Sequence, residues 1–210
     1  MVVRKENKKL KVVWICGFTN SLVQKKLKPL KRIGEIAPWI TNLIHIFENN
    51  PDIELHIISP HTGIPHIKSF EHNEIRYHFL PQGIPLIGLK WPSFFPLDLW
   101  TDYFFIKKFV KKLVTKINPD IIHLHGAENT YHTASITQFK DKYPILVTLQ
   151  GFINNSRSNN KRVIRRKKRE KDIYNLFSHF TYRTKTMIRQ IEQFRPDANV
   201  YFLRYPRKKI

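Results

Sequence analysis

Asn118-Pro119-Asp120-Ile121-Ile122-His123-Leu124-His125-Gly126 is the stretch that decides the fold. Asn118-Pro119 stops the helix before it, because proline cannot continue a helix and restricts its predecessor. Asp120–Leu124 is then a short apolar run, the mark of a strand buried on both faces, and Gly126 ends it. The same alternation spreads outward. Toward the C-terminus come a helix over Thr130–Lys140 and a strand over Ile145–Leu149. After a polar loop at Asn154–Asn160 follow a basic helix over Lys161–Phe177, a strand at His179–Tyr182, a helix over Lys185–Phe194 and a strand at Val200–Leu203. Toward the N-terminus, Asp98 caps a helix running to Ile117. Its buried stripe is Ile106, Val110, Leu113 and Ile117, and lysines 107, 108, 111, 112 and 116 form its wet side. Pro81–Pro96 is irregular. Strands are expected at Ile75–Leu80, Glu54–Ser59 and Lys11–Cys16. Pro38 suits a first helical turn, and Ile36, Ile40, Leu43, Ile44 and Phe47 recur at helical spacing. Thr19–Glu35 reads as a long basic loop. Strands alternating with helices predict an α/β domain whose parallel sheet carries helices on both faces. It should span residues 11–204, between a basic segment at 1–10 and a tail at 205–210.

The 210 residues carry 37 Lys and Arg against 16 Asp and Glu, a net charge of +21. Such a charge concerns partners rather than fold, and the partners would be anionic. Cys16 is the single cysteine, which excludes an internal disulfide and a zinc-type Cys pair and fits a reducing compartment. The basic start Met1–Lys11 leads into an apolar run too short for a signal peptide. No run reaches the roughly 20 apolar residues that span a bilayer. The expected location is therefore cytoplasmic, with any membrane contact peripheral to the inner face.

Ligands of parallel α/β sheets bind beyond the carboxyl ends of the strands. That rule selects the loops Gly17–Glu35, His125–Asn129 and Gln150–Asn155. His123 and His125 share one face of their strand. No third ligand follows at metal spacing, so no metal is expected, and His123 is read as a structural histidine. His125 stands at the strand exit, where Gly126 permits close approach of a ligand. Glu128 and Asn129 either bind hydroxyls or cap the next helix. Gln150-Gly151 either offers amide donors and acceptors to a hydroxyl-rich ligand or is an ordinary turn. Gly34-Glu35 precedes a helix whose N-terminus could hold a phosphate. There is no G-x-G-x-x-G or G-x-x-x-x-G-K-[ST], so no nucleotide cofactor is expected by those routes. G-x-S-x-G is also absent, and no carboxylate pair is placed for acid–base work.

The largest charge cluster runs from Arg157 to Lys171 and includes Arg162, Arg165, Arg166, Lys167, Lys168 and Arg169. It is a solvated helix, a patch for an anionic membrane, or a nucleic-acid surface. Nucleic acid is disfavoured, because no recognition motif accompanies the charge. Trp91, Phe94, Phe95, Trp100, Tyr103, Phe104 and Phe105 are denser than a core needs, and an exposed subset could touch lipid or a hydrophobic acceptor.

Four stretches carry a resemblance: Gly34–Ile40 (GEIAPWI), Pro119–Glu128 (PDIIHLHGAE), Tyr143–Gly151 (YPILVTLQG) and Tyr182–Lys185 (YRTK). In order and spacing the chain resembles the N-terminal domain of family 4 glycosyltransferases, from about Lys11 to Tyr201. The resemblance implies one Rossmann-like half of a GT-B fold. It implies transfer of a sugar from a nucleotide-sugar co-substrate to a polysaccharide or lipid-linked glycan, without a metal. By position His125 corresponds to the histidine near the reacting sugar, and Gly34 and Glu35 to the loop facing the donor phosphates. Glu128, Asn129, Gln150, Gly151 and Arg183 would line the cleft on the acceptor side. The family's second, donor-binding domain and its pair of Glu eight positions apart are not in this chain, so it is expected to be inactive alone, as a truncated product or half of a split enzyme. The alternative expectation is a non-catalytic basic module that binds an anionic membrane or nucleic acid.

Overall fold

The computed structural model describes residues 8–30, 33–84, 86–89, 91, 92, 94–158 and 160–204. Most of the basic segment and the tail expected at 205–210 lie outside them. The strands are β1 (Leu10–Ile15), β2 (Ile53–His61), β3 (Lys68–His72), β4 (Ile75–Pro81), β5 (Ile121–His125), β6 (Ile145–Thr148), β7 (His179–Tyr182) and β8 (Asn199–Phe202). The helices are α1 (Ser21–Leu27), α2 (Pro38–Phe47), α3 (Leu97–Trp100), α4 (Phe104–Ile117), α5 (Thr130–Ile136), α6 (Lys161–Leu176) and α7 (Lys185–Phe194). The strands form one sheet in the order β3-β4-β2-β1-β5-β6-β7-β8. This is the expected Rossmann-like α/β architecture.

Side-chain alternation along β1 divides the core. Val13 and Ile15 join the layer beneath α4, α5, α6 and α7, whereas Val12, Trp14 and Cys16 join the layer beneath α1 and α2. The strand order reverses at β1. From there the chain first builds outward through β2 and later returns to lay β5 on the other side, with Trp14 opposite His123. Such a reversal leaves a crevice at the carboxyl ends of the two central strands.

Four expectations are corrected. The sheet is not wholly parallel, because β3, a strand unread in the sequence, pairs antiparallel with β4. The helices do not cover both faces throughout. Among the described residues the helices beyond β5 lie on one face, and Ile121, Leu146, His179 and Tyr201 border an apolar groove on the other. Thr19–Glu35 is not all loop. Asn20 caps α1 by accepting the Val23 N–H at 3.0 Å, and Val23 and Leu27, one turn apart, are fully buried. Finally, the helix expected from Asp98 to Ile117 is broken. Asp102 and Tyr103 have φ of 50° and 59°, left-handed conformations costly for residues other than glycine. The break frees the Asp102 carboxylate to pair with Lys107 and with Arg169 of α6.

Glu170 is the buried acid of α6. It accepts the backbone N–H groups of Ile153 (3.2 Å) and Asn154 (2.7 Å) and the Asn154 side-chain amide. It thereby fixes the loop after β6. Glu170→Ala would orphan these donors, and the expected cost is about 2–3 kcal/mol. In a thermal melt that is a fall of roughly 5–10 °C; an unchanged melting temperature would contradict the role.

Candidate functional site

The crevice at the reversal is a cleft of about 420 Å³. Gly17 and Phe18 follow β1, His61 and Thr62 close β2, Gln82 follows β4, His125 ends β5 and Gln150 follows β6. Glu128 and Asn129 precede α5, His132 projects from it, and Trp39 comes from the first turn of α2. The cleft is thus assembled where the sheet rule places it.

Its lining contains several buried polar atoms with no hydrogen-bond partner among the described residues. They are both ring nitrogens of His125, His132 Nδ1, Trp39 Nε1, Gln150 Nε2 and Glu128 Oε2. Buried polar groups are ordinarily paired, so a concentration of unpaired ones around a single cleft marks a surface made to bind a polar partner. The side chains are also held at defined places. A Cβ on Gly17 would lie 2.7 Å from the His132 ring, and one on Gly126 3.0 Å from Gln150 Oε1 and 3.2 Å from the Glu128 carboxylate. Gly126 also has φ +90°, where a side chain is strained. Both glycines therefore allow the neighbouring side chains to lie against the backbone.

The imidazoles are neutral. His125 is 1% exposed, and burial, with smaller contributions from His123 and His132, holds its pKa well below the usual range. Burial lowers His132 to about 4 and also lowers His61. A neutral imidazole offers one donor and one acceptor. Glu128 moves the other way, because burial and then the nearby Glu170 carboxylate raise its pKa, against a smaller opposing pull from Arg166 and the local backbone. Among the described residues of the lining there is no Lys or Arg, in a chain whose net charge is +21.

His123, read as structural, is so used. Its Nε2 lies 2.6 Å from Thr148 Oγ1, which lies 2.7 Å from Thr181 Oγ1, a polar ladder across β5, β6 and β7. Its ring packs 3.9 Å from that of His125 and so backs it, together with Trp14 at 4.7 Å. Asn129 caps α5 through the Tyr131 N–H, which is the capping alternative, and it also lines the cleft. His125, Glu128, Asn129 and Gln150 meet in one place. Gly151 lies just past them, where an added Cβ would be 4.0 Å from the Glu128 carboxyl carbon. Gly34 and Glu35 are not in the lining. Their loop reaches the cleft through Ile33, Ile36 and Ala37, whereas Glu35 faces a second cleft beside α1 and α2. Arg183 closes β7 on the same edge of the sheet, outside this lining.

The six residues of the expected anion patch divide. The guanidinium of Arg165 donates to the Leu99 carbonyl, that of Arg166 to the Glu128 carbonyl at 2.7 Å, and Arg169 pairs with Asp102. These three hold α6 to the loops that frame the cleft. Arg162 and Lys168 are exposed and Lys167 is half-buried. Among the described residues no three His, Cys, Asp or Glu side chains converge as metal ligands do. No described helix is long and apolar enough to cross a membrane.

Sequence reasoning missed Trp39, His61, Gln82 and His132. His61 and Gln82 were findable, because they sit at the carboxyl ends of β2 and β4, where the same rule applies. His132 lies inside a helix and Trp39 one turn into another, with nothing in either local pattern to separate them from core.

No protein-family model matches the chain, and no curated protein does. Solved structures do. Sucrose-phosphate synthase from Thermosynechococcus elongatus superposes with a TM-score of 0.62 at 13% identity over 92% of this chain and 47% of that one. A UDP-forming α,α-trehalose-phosphate synthase from Burkholderia vietnamiensis gives 0.52 at 9% identity over 90% and 43%. A UDP-N-acetylglucosamine 2-epimerase from Listeria monocytogenes, assigned by its describers provisionally, gives 0.51 at 15% over 89% and 42%. At these identities the likeness is one of fold. The chain spans less than half the length of each, as one Rossmann-like half of a GT-B architecture does.

Proposed function

We propose that this chain is the acceptor-side half of a glycosyltransferase. It holds the hydroxyl of a polysaccharide or lipid-linked glycan in the cleft at His125, while a second domain brings the nucleotide-sugar co-substrate. The observation that carries this is the lining itself, whose described residues present buried neutral donors and acceptors without partners among themselves, and one acid, Glu128. Hydroxyl-rich groups satisfy such atoms. The names of the structural neighbours, two sugar-phosphate synthases and a UDP-sugar epimerase, support sugar chemistry in general. In the transfer, the bond from the sugar to the nucleotide phosphate breaks and a bond to the acceptor oxygen forms. The hydroxyl proton leaves with the nucleotide. His125 and Glu128 orient that hydroxyl, and Gln150 and His132 hold its ring. The cytoplasmic face of an anionic membrane is the proposed location.

Calorimetric titration with UDP-sugars tests the division of labour. The chain alone should bind them more weakly than about 1 mM, and transfer to a glycan acceptor should appear when a donor domain is supplied. Sustained transfer by the chain alone would refute the proposal.

A further inference from the structure

Between β4 and α4 the chain turns large apolar side chains outward. Phe94 is 85% exposed, Trp100 61%, Phe104 53% and Phe95 42%. Phe95, Trp100 and Phe104 belong to one surface with Trp91, and Phe94 stands next to Phe95 in the chain. Trp91 packs on Phe95 at 6.1 Å and Phe95 on Trp100 at 5.0 Å, while Trp91, Phe104 and Phe105 line one narrow crevice. An exposed aromatic surface of this kind marks an interaction site. Tryptophan in particular favours the boundary between water and lipid.

The charges around it identify the partner. On α4, Phe104, Lys108, Lys111 and Lys112 are all exposed and recur at helical spacing, so a cationic strip runs away from the aromatic cluster. Arg162 lines a crevice with Leu99 on the other side. The two acids of the segment are occupied internally. Asp98 accepts the Tyr131 hydroxyl and the Leu99 N–H, and Asp102 pairs with Lys107 and Arg169. Apolar rings flanked by uncompensated cations fit the interfacial layer of an anionic bilayer. We propose that the chain docks on such a bilayer by inserting this aromatic surface, with the lysines of α4 on the lipid headgroups. The arginine-rich face of α6 is not the anchor, because Arg165, Arg166 and Arg169 are spent inside the fold. The crevice of Arg162 and Leu99 shares Gln82 and Asn129 with the cleft. Docking therefore brings the cleft mouth to the lipid surface, where a lipid-linked acceptor would stand. The docking surface extends the membrane location proposed above but needs no transfer chemistry, so the two can fail separately.

The test is sedimentation of the 210-residue chain with vesicles of phosphatidylglycerol and phosphatidylcholine, alongside vesicles of phosphatidylcholine alone. Binding should require the anionic lipid. Brominated acyl chains should quench tryptophan fluorescence, and the quenching should be lost in a Trp91→Phe, Trp100→Phe variant. Phe94→Ser with Trp100→Ser, both exposed and so tolerated by the fold, should weaken binding roughly tenfold or more. Reversing Lys108, Lys111 and Lys112 to Glu should weaken it mainly at low salt. Vesicle binding without quenching, or binding unchanged by the aromatic substitutions, would overturn the proposal. So would a stable dimer that hides Trp100 and ignores lipid.

Discussion

His125→Ala, made in the chain completed by its donor domain, is expected to slow sugar transfer about a hundredfold or more, the usual consequence of deleting one positioned donor beside a reacting group. The ring is backed by His123 and Trp14, so it is held in place by aromatic packing. Its own nitrogens have no hydrogen-bond partner among the described residues, which leaves them for the proposed acceptor. Burial keeps it neutral far below the usual imidazole range. Transfer should therefore not follow a histidine titration near pH 6.5; an acid limb there would belong to another group. The substitution also removes buried packing, so melting curves must accompany the rates. His125→Asn, which keeps a donor and an acceptor, should recover part of the loss if hydrogen bonding is the role. Unchanged transfer in the Ala variant would remove His125 from the mechanism.

Acid should unfold this protein early, with a midpoint above pH 4. His56, His61, His125 and His132 are each at most 5% exposed, and burial lowers the pKa of all four. The unfolded chain binds a proton at each near pH 6.5 and the folded chain does not. The stability they sustain is thus complete above pH 6.5 and is lost as pH falls toward the folded values, about 4 for His132. Glu128 and Glu170, both raised, act in the opposite sense. Their contribution is present below pH 4.5 and lost as pH rises through the folded values. Each group contributes up to about 1.4 kcal/mol per pH unit. His78 and His123, lowered by burial to about 4 and about 3, act in the same sense as the four, so the lowered imidazoles outnumber the two raised acids and stability falls as pH drops below 6.5. Domains of this size hold only about 5–15 kcal/mol, so that loss brings the transition to a pH above 4. Circular dichroism against pH gives the midpoint. His132→Gln should flatten the slope by about 1.4 kcal/mol per pH unit between pH 4 and 6.5. Unfolding that waits until below pH 4 would show that these rings are not kept neutral by burial.

The elements that were legible in the sequence were those whose local pattern matches their burial. Asp120–Leu124 and Ile145–Leu149 read as strands because both are continuous apolar runs in the middle of the sheet, and α7 read correctly because its apolar stripe is regular. β3 was missed because Lys68-Ser69-Phe70-Glu71-His72 alternates weakly at an edge, where a strand needs to bury little. α1 was missed because only Val23 and Leu27 mark its inner side. The break at Asp102-Tyr103 was invisible because the compensating partners lie on α6, far along the chain.

The sequence by itself determined the α/β class, the strand that ends at His125, the excess of positive charge and the loops from which a site could be built. All of these follow from local periodicity, composition and the rule for parallel sheets. Only the tertiary structure decided that Glu128 is the one acid among the described residues of the lining and that His61, His132 and Trp39 belong to it. It also decided that half of the arginine cluster is internal clamp rather than surface. The physical reason is the same in each case. Whether a polar side chain is satisfied, buried or free depends on what meets it across the sheet, and those partners come from stretches that no local pattern connects.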